Sequence, residues 1–231
     1  MIVSIHQPNF FPWLGFFDKL YKSDNFVFLT SSVRSKNDKF LTRCSILRNS
    51  KSIYISIPLG IKQIPINELL MPENNHWKLK ALNLIRESYR KQGFYDEVFP
   101  FIEELLLDDY EYFHEYSMNI IKSIKNKLRI YTEIYTDTDF NKDFGKSNIR
   151  NIEICKIIGG DVYLSGDGAK SYNDIELYKK NSVQLIYQNY SIPEYSQSSN
   201  KFVPGLSIID VLFNCGFCET ENLIKTNESQ S

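Results

Sequence analysis

The last third of the chain switches repeatedly between helical and extended patterns, and this alternation restricts the fold more than any other feature. SNIRNIEICKII reads as a helix that stops at Gly159-Gly160, because glycine readily takes the left-handed conformation that closes a helix. DVYLSG follows as a strand, SYNDIELYKKN as a helix, and SVQLIYQNY as another strand. FVPGLSIIDVLFNCG then reads as a helix that begins with Pro204 and is ended by Gly216. Strands that alternate with helices bury their apolar faces in layers, so the predicted fold class is α/β, a layered sheet with flanking helices.

The first half sets the same theme with an interruption. Met1 to Ile5 reads as a short buried strand, and Pro12 with the run WLGFFDKLY as a short helix, proline being tolerated in a first turn. NFVFLTSS, FLTRCSIL and IYISIPL read as three neighbouring strands, the last two a hairpin across Asn49-Ser50-Lys51. From Asn75 the period becomes helical through HWKLKALNLIRESYRKQ, FPFIEELLL and DYEYFHEYSMNIIKSIKNKL. The prediction is a central helical block over about 75–128, followed by a strand in RIYTEIYTDT. Residues 1–218 are expected to form a single domain, and residues 219–231 a polar, frayed tail.

Composition removes several function classes. A chain of 231 residues with 42% hydrophobic side chains can bury a core without staples. Lys and Arg number 27 against 28 Asp and Glu, so no face is expected for nucleic acid or an anionic membrane. No stretch reaches the roughly 18 apolar residues of a membrane span, and the opening lacks a secretory pattern, so the expected compartment is the cytoplasm. Cys44 and Cys155 stand alone, and Cys215 and Cys218 form a single C-x-x-C. His6, His76 and His114 are far apart in the chain, so no metal site is expected. Neither a dinucleotide-binding glycine fingerprint nor a phosphate-binding Walker loop is present.

Four stretches could carry chemistry. In an α/β sheet, ligands sit beyond the carboxyl ends of strands, which is where His6, Gln7 and Asn9 fall. Histidine can take a proton near neutral pH and an amide can orient a carbonyl; the competing reading is a histidine that caps a turn. Trp13 follows among Phe10, Phe11, Phe16 and Phe17, as a core ring or as a stacking face. His76 and Lys80, four apart, share a helix face that could meet a phosphate, or one that is simply solvated. In DVYLSGDGAKSY, Ser165, Gly166, Gly168 and Lys170 could cradle an anion at the start of the next helix. Tyr195 lies in a loop before Asp210, a carboxylate among apolar neighbours that needs a partner.

Taken together, IHQPNFFPWLGFFDKL, HWKLKALNLIRESYRKQGFYDEVFP, VYLSGDGAKSY and the ending F-x-P-x-L-S-I-I-D-x-L-F-N-x-G resemble the WbqC-like family of bacterial polysaccharide gene clusters. The segment VRSKNDKFLTRCSIL departs from the family pattern, with Arg34, Lys36 and Arg43 in it. The resemblance implies a role beside enzymes that make nucleotide-linked amino-deoxy sugars for O-antigen and similar lipopolysaccharide glycans. It implies addition of an acyl or aminoacyl group to the sugar amine. On that basis the expected enzyme is an N-acyltransferase, with His6 as base and Gln7 and Asn9 as orienting or oxyanion groups. Trp13, Ser165, Gly166, Gly168, Lys170, Tyr195, His76 and Lys80 are the expected substrate contacts. The donor would be a thioester on coenzyme A or an acyl carrier protein, or an acyl group activated with ATP. The alternative is a noncatalytic protein that holds a sugar nucleotide or a partner during glycan assembly. Transfer of the whole sugar has less support, because Asp108 and Asp109 are adjacent and not the spaced pair many such enzymes use.

Overall fold

The computed structural model describes residues 1–35, 40–60 and 63–226. Its centre is a parallel five-stranded sheet, β1 (Ile2–His6), β2 (Asn25–Phe28), β5 (Glu133–Thr136), β6 (Val162–Ser165) and β7 (Gln184–Tyr187), in the order β5-β2-β1-β6-β7. β1 is central. The chain fills one side of it with β2 and β5 before crossing to β6 and β7 on the other.

Parallel strands are covered on both faces, and the pattern of burial shows it. All four residues of β2 are buried, Phe26 and Phe28 toward one layer and Val27 toward the other. On one face lie α1 (Leu14–Tyr21), α7 (Ile208–Thr226) and the helical block α2 (His76–Tyr89), α3 (Tyr95–Leu107) and α4 (Phe113–Lys127). On the other lie α5 (Ser147–Ile158) and α6 (Ile175–Lys180), which pack Ile152, Cys155 and Tyr178 against Val3, Ile5 and Tyr163. The α/β class and the central helical block both stand.

Three expectations need correction. The strands read as neighbours separate: β3 (Arg43–Arg48) and β4 (Lys51–Ser56) form their own antiparallel hairpin, while β2 joins β1. The hairpin alternates between buried and accessible positions, as a sheet with one wet face does; β2 has no wet face. The last helix begins at Ile208 and not at Pro204, since Gly205 turns the chain with φ +71°. Gly216 does end that helical run as expected: its backbone is non-helical at φ +70°, a Cβ there would stand 2.5 Å from the Phe94 ring, and a second run follows across the kink. Residues 217–226 continue as helix with Thr220, Glu221 and Ile224 buried, so the expected fraying does not hold to Thr226. The rest of the expected tail, 227–231, and Lys36 lie outside the described residues.

Candidate functional site

At the carboxyl end of β1, a cavity of about 480 Å³ opens between the following loop, the β3 edge and the turn before α7. Its lining includes His6, Gln7, Asn9, Trp13, Arg43 and Ser207. A cleft of similar size between α4 and β5 involves Arg129–Ile134. It sits where β5 begins, at the amino end of the sheet, away from the edge where α/β folds hold ligands.

The loop that forms the cavity is held from three directions. Phe10 N–H donates to Leu41 O at 2.9 Å, and Ile208 N–H to Pro12 O at 2.9 Å. The Ser207 hydroxyl donates to Phe11 O at 2.7 Å, while its N–H reaches Ser45 O at 2.8 Å. Between these ties Phe11 is fully buried with φ +40°. A bulky residue in that region costs about 1–3 kcal/mol and persists only where its surroundings over-determine it.

His6 points to the α1 side of the sheet and meets the Phe16 ring edge-on, with centroids 5.0 Å apart. Its Nδ1 is 2.9 Å from Gln7 O. A carbonyl only accepts, so Nδ1 carries the proton and Nε2 keeps its lone pair. Burial, with the Lys19 charge as the second cause, lowers the ring's pKa to about 4 despite that hydrogen bond. The imidazole is therefore neutral at physiological pH. Lys19 is itself buried on α1, donates to Ile5 O at 3.0 Å, and has its pKa lowered by burial to about 8.

The Gln7 amide donates one hydrogen to Ser32 Oγ at 3.1 Å, which leaves a second for another partner. Ser32 sits on a loop fixed by Asp137, whose Oδ1 accepts from the Thr30 N–H at 2.7 Å and the Thr30 hydroxyl at 2.8 Å. Asp137 also accepts from the Ser31 hydroxyl.

Trp13 is the accessible ring of the opening cluster, 37% exposed, and stands edge-on to Tyr190 with centroids 5.1 Å apart. Phe10, Phe11, Phe16 and Phe17 are buried core. Cys44 lines the cavity, but burial raises its thiol pKa to about 12 in spite of the Ser207 hydroxyl. It is a protonated wall and not a thiolate nucleophile.

The other predicted contacts lie elsewhere. His76 and Lys80 are exposed on α2 and do not reach the cavity. Ser165 is buried, its hydroxyl accepting from the Asn173 amide at 3.0 Å. Gly166 precedes a short 3-10 turn, Asp167–Ala169, that includes Gly168. The turn's own Asp167 accepts from the Asn189 and Tyr190 N–H groups at 3.2 and 3.1 Å and pairs with Lys170 at 2.8 Å. Burial alone would raise the Asp167 pKa, but Lys170 and the backbone donors bring it below the ordinary carboxylate value. Where an external anion was expected, the chain supplies one.

Tyr195 donates to Asp210 Oδ2 at 2.8 Å, Tyr89 to Asp210 Oδ1 at 2.6 Å, and the Gln197 amide to Oδ2 at 3.1 Å. Burial raises the Asp210 pKa and these three donors oppose the rise. Tyr195 thus belongs to a structural carboxylate network.

The sequence reading did not nominate Arg43, Cys44, Ser45 or Ser207 for the site. Alternation along RCSILR puts Arg43 and Ser45 on the accessible face; nothing local brings Ser207 to them, because that contact is tertiary.

No solved structure matches this chain. It is similar to a Mycobacterium tuberculosis (strain ATCC 25618 / H37Rv) protein described as "Uncharacterized protein Rv1507c", 25% identical over 219 residues, 93% of this chain and 94% of that one. Residues 7–222, from the glutamine beside the cavity histidine to the last turns of α7, match the WbqC-like protein family. With that match covering most of its length, the chain belongs to the WbqC-like protein family.

Proposed function

We propose that this protein is an N-acyltransferase that adds an acyl or aminoacyl group to the amine of a nucleotide-linked amino-deoxy sugar in bacterial surface polysaccharide biosynthesis. Family membership, with the sugar chemistry it implies, supports the substrate class. The observation that carries the reaction type is the His6 ring, held by Gln7 O so that the Nε2 lone pair remains available beside a cavity of ordinary ligand size.

In this reading the sugar nitrogen attacks the acyl carbonyl of a thioester or acyl-adenylate. A C–N bond forms and the C–S or C–O bond breaks. Nε2 takes the ammonium proton of the tetrahedral adduct and returns it to the leaving thiolate, or to solvent where the leaving group is a phosphate. The free hydrogen of Gln7 and the Asn9 amide donate to the developing oxyanion. Trp13 supplies an apolar wall for the sugar or base.

The binding-only reading also has an observation in its favour. A ring whose pKa is near 4 is a weak base, and one Gln7 hydrogen is already committed to Ser32. Turnover decides between them. Purified protein, a panel of nucleotide-linked amino sugars, and acyl donors with and without ATP would be examined by mass spectrometry. A mass gain matching an amide supports transfer, and His6→Ala should then lower turnover by roughly 10²–10⁴. Tight binding of a sugar nucleotide with no mass change would replace the transferase reading with the scaffold.

A further inference from the structure

Arg43 lines the cavity, whose lining among the described residues includes no carboxylate. It faces Ser56 across the β3-β4 hairpin, and Tyr54 faces Ser45, so Arg43 and Tyr54 are diagonal neighbours on one face. The guanidinium carbon lies 4.3 Å from the centre of the Tyr54 ring. On the opposite face, Cys44, Ile46 and Ile55 are anchored in the core. The strand beneath the arginine is therefore fixed, and its planar fork is oriented by the ring.

Its hydrogen bonding is incomplete. The Nε is buried and has no partner among the described residues, and no ion pair there includes Arg43. Three other cations near the sheet and the helical block do have acceptors. Lys170 pairs with Asp167, Lys78 with Asp109 at 2.6 Å, and Arg34 donates to Gly60 O at 2.7 Å. A buried guanidinium donor with no acceptor is costly, and an oxyanion in the cavity would satisfy it with two parallel bonds.

We propose that Arg43, held over the Tyr54 ring, is the residue by which this cavity recognises a phosphate group of its substrate. The fork geometry rests on the hairpin alone; that the anion is a phosphate rests on the transferase reading above. The same chemistry fits the diphosphate of a nucleotide-linked sugar or a phosphate of coenzyme A. Arg43 takes the role that Lys170 and the Ser165–Gly168 turn were expected to fill.

The test is calorimetric titration of the full chain with uridine diphosphate and, separately, with coenzyme A. Arg43→Gln, Arg43→Lys and Tyr54→Leu would be compared with Lys51→Gln, a charge control at the far end of the hairpin. Expected is binding of one probe, weakened about ten- to hundredfold in Arg43→Gln, partly recovered in Arg43→Lys, weakened in Tyr54→Leu, and unchanged in Lys51→Gln. The probe that responds identifies the source of the phosphate. Equal affinity in wild type and Arg43→Gln, or no binding of either probe at millimolar concentration, overturns the proposal. Circular dichroism checks each variant's fold, and the charge-retaining lysine variant keeps the comparison informative if glutamine is not tolerated. Acyl transfer is read separately. Arg43-dependent binding without transfer would defeat the transferase reading alone, and transfer with a KM for both substrates indifferent to Arg43→Gln would defeat this one alone.

Discussion

The Trp13 indole occupies the space that a side chain at residue 15 would need: a Cβ placed on Gly15 would stand 2.5 Å from the ring. Gly15 thus lets the ring fold back over the first turn of α1, while its carbonyl accepts from the Gln188 amide at 2.7 Å. Gln188 also bonds Asp18 at 2.6 Å, tying α1 to the end of β7. The orientation of the Trp13 ring at the cavity depends on a missing methyl group.

Gly15→Ala should therefore push the indole outward. The expected cost is about 1–3 kcal/mol, typical of forcing an extra group into a packed site. Urea unfolding reads the cost, and a red shift of tryptophan emission reads the displacement. An unchanged midpoint and spectrum would show that the ring accommodates the methyl where it lies.

Asp210 should matter more to stability than to substrate. Asp210→Ala leaves the Tyr89 and Tyr195 hydroxyls and the Gln197 amide without their acceptor, and should cost more than about 3 kcal/mol. Asp210→Asn keeps one oxygen and should cost less. The folded-state pKa of Asp210 is raised, so its contribution is fullest below the unfolded carboxylate pKa and declines as pH rises through the folded value. Denaturation across pH tests the sign, since Asp210→Asn should remove that decline. Tyr195→Phe should lower the unfolding midpoint and leave KM nearly unchanged.

Most of the layer pattern was legible in the sequence because it is local. Periods of helix and strand, the Gly159-Gly160 stop and the Asn49-Ser50 turn are written in neighbouring residues. His6, Gln7, Asn9 and Trp13 were legible for a related reason: they follow a buried strand, and the end of such a strand is where α/β sheets open. Arg43 and Ser207 were not, since each reaches the cavity through packing between distant segments. The Ser165–Lys170 turn misled because glycines and a lysine look alike whether the anion is a ligand or the chain's own Asp167.

His6 predicts acid sensitivity of a defined sign. Its folded pKa, about 4, lies below the ordinary histidine value of 6.5, so the unfolded chain takes the proton first. The ring's contribution is complete above pH 6.5 and falls as pH drops toward 4, by roughly 3 kcal/mol in all. Wild type should lose stability between pH 7 and 5, and His6→Gln should flatten that slope. If His6 is the base, kcat/KM should fall on its acid side near pH 4 to 5 and not near 6.5. Lys19, with a folded pKa of about 8, adds a rise in stability above pH 8 that His6→Gln leaves in place.

Ser207→Ala removes the hydroxyl that holds Phe11 O. Losing one such bond should cost about 1 kcal/mol, somewhat more if the carbonyl stays buried and unpaired. Because Phe11 is held against its backbone preference, the loop should relax and KM should rise more than kcat falls. Steady-state kinetics with the substrate found by mass spectrometry measures the split.

The Ser207–Phe11 bond joins residues 196 positions apart, and this separation governs when the cavity can first exist. At a synthesis rate of about 5–20 residues per second, roughly 10–40 s pass between the making of Phe11 and of its partner. Throughout that interval the His6 loop lacks its clamp, even if β1 and β2 have already paired. A nascent chain therefore lacks the clamped cavity until Ser207 has been made, and competence arrives in one late step, with the docking of the helix that follows it.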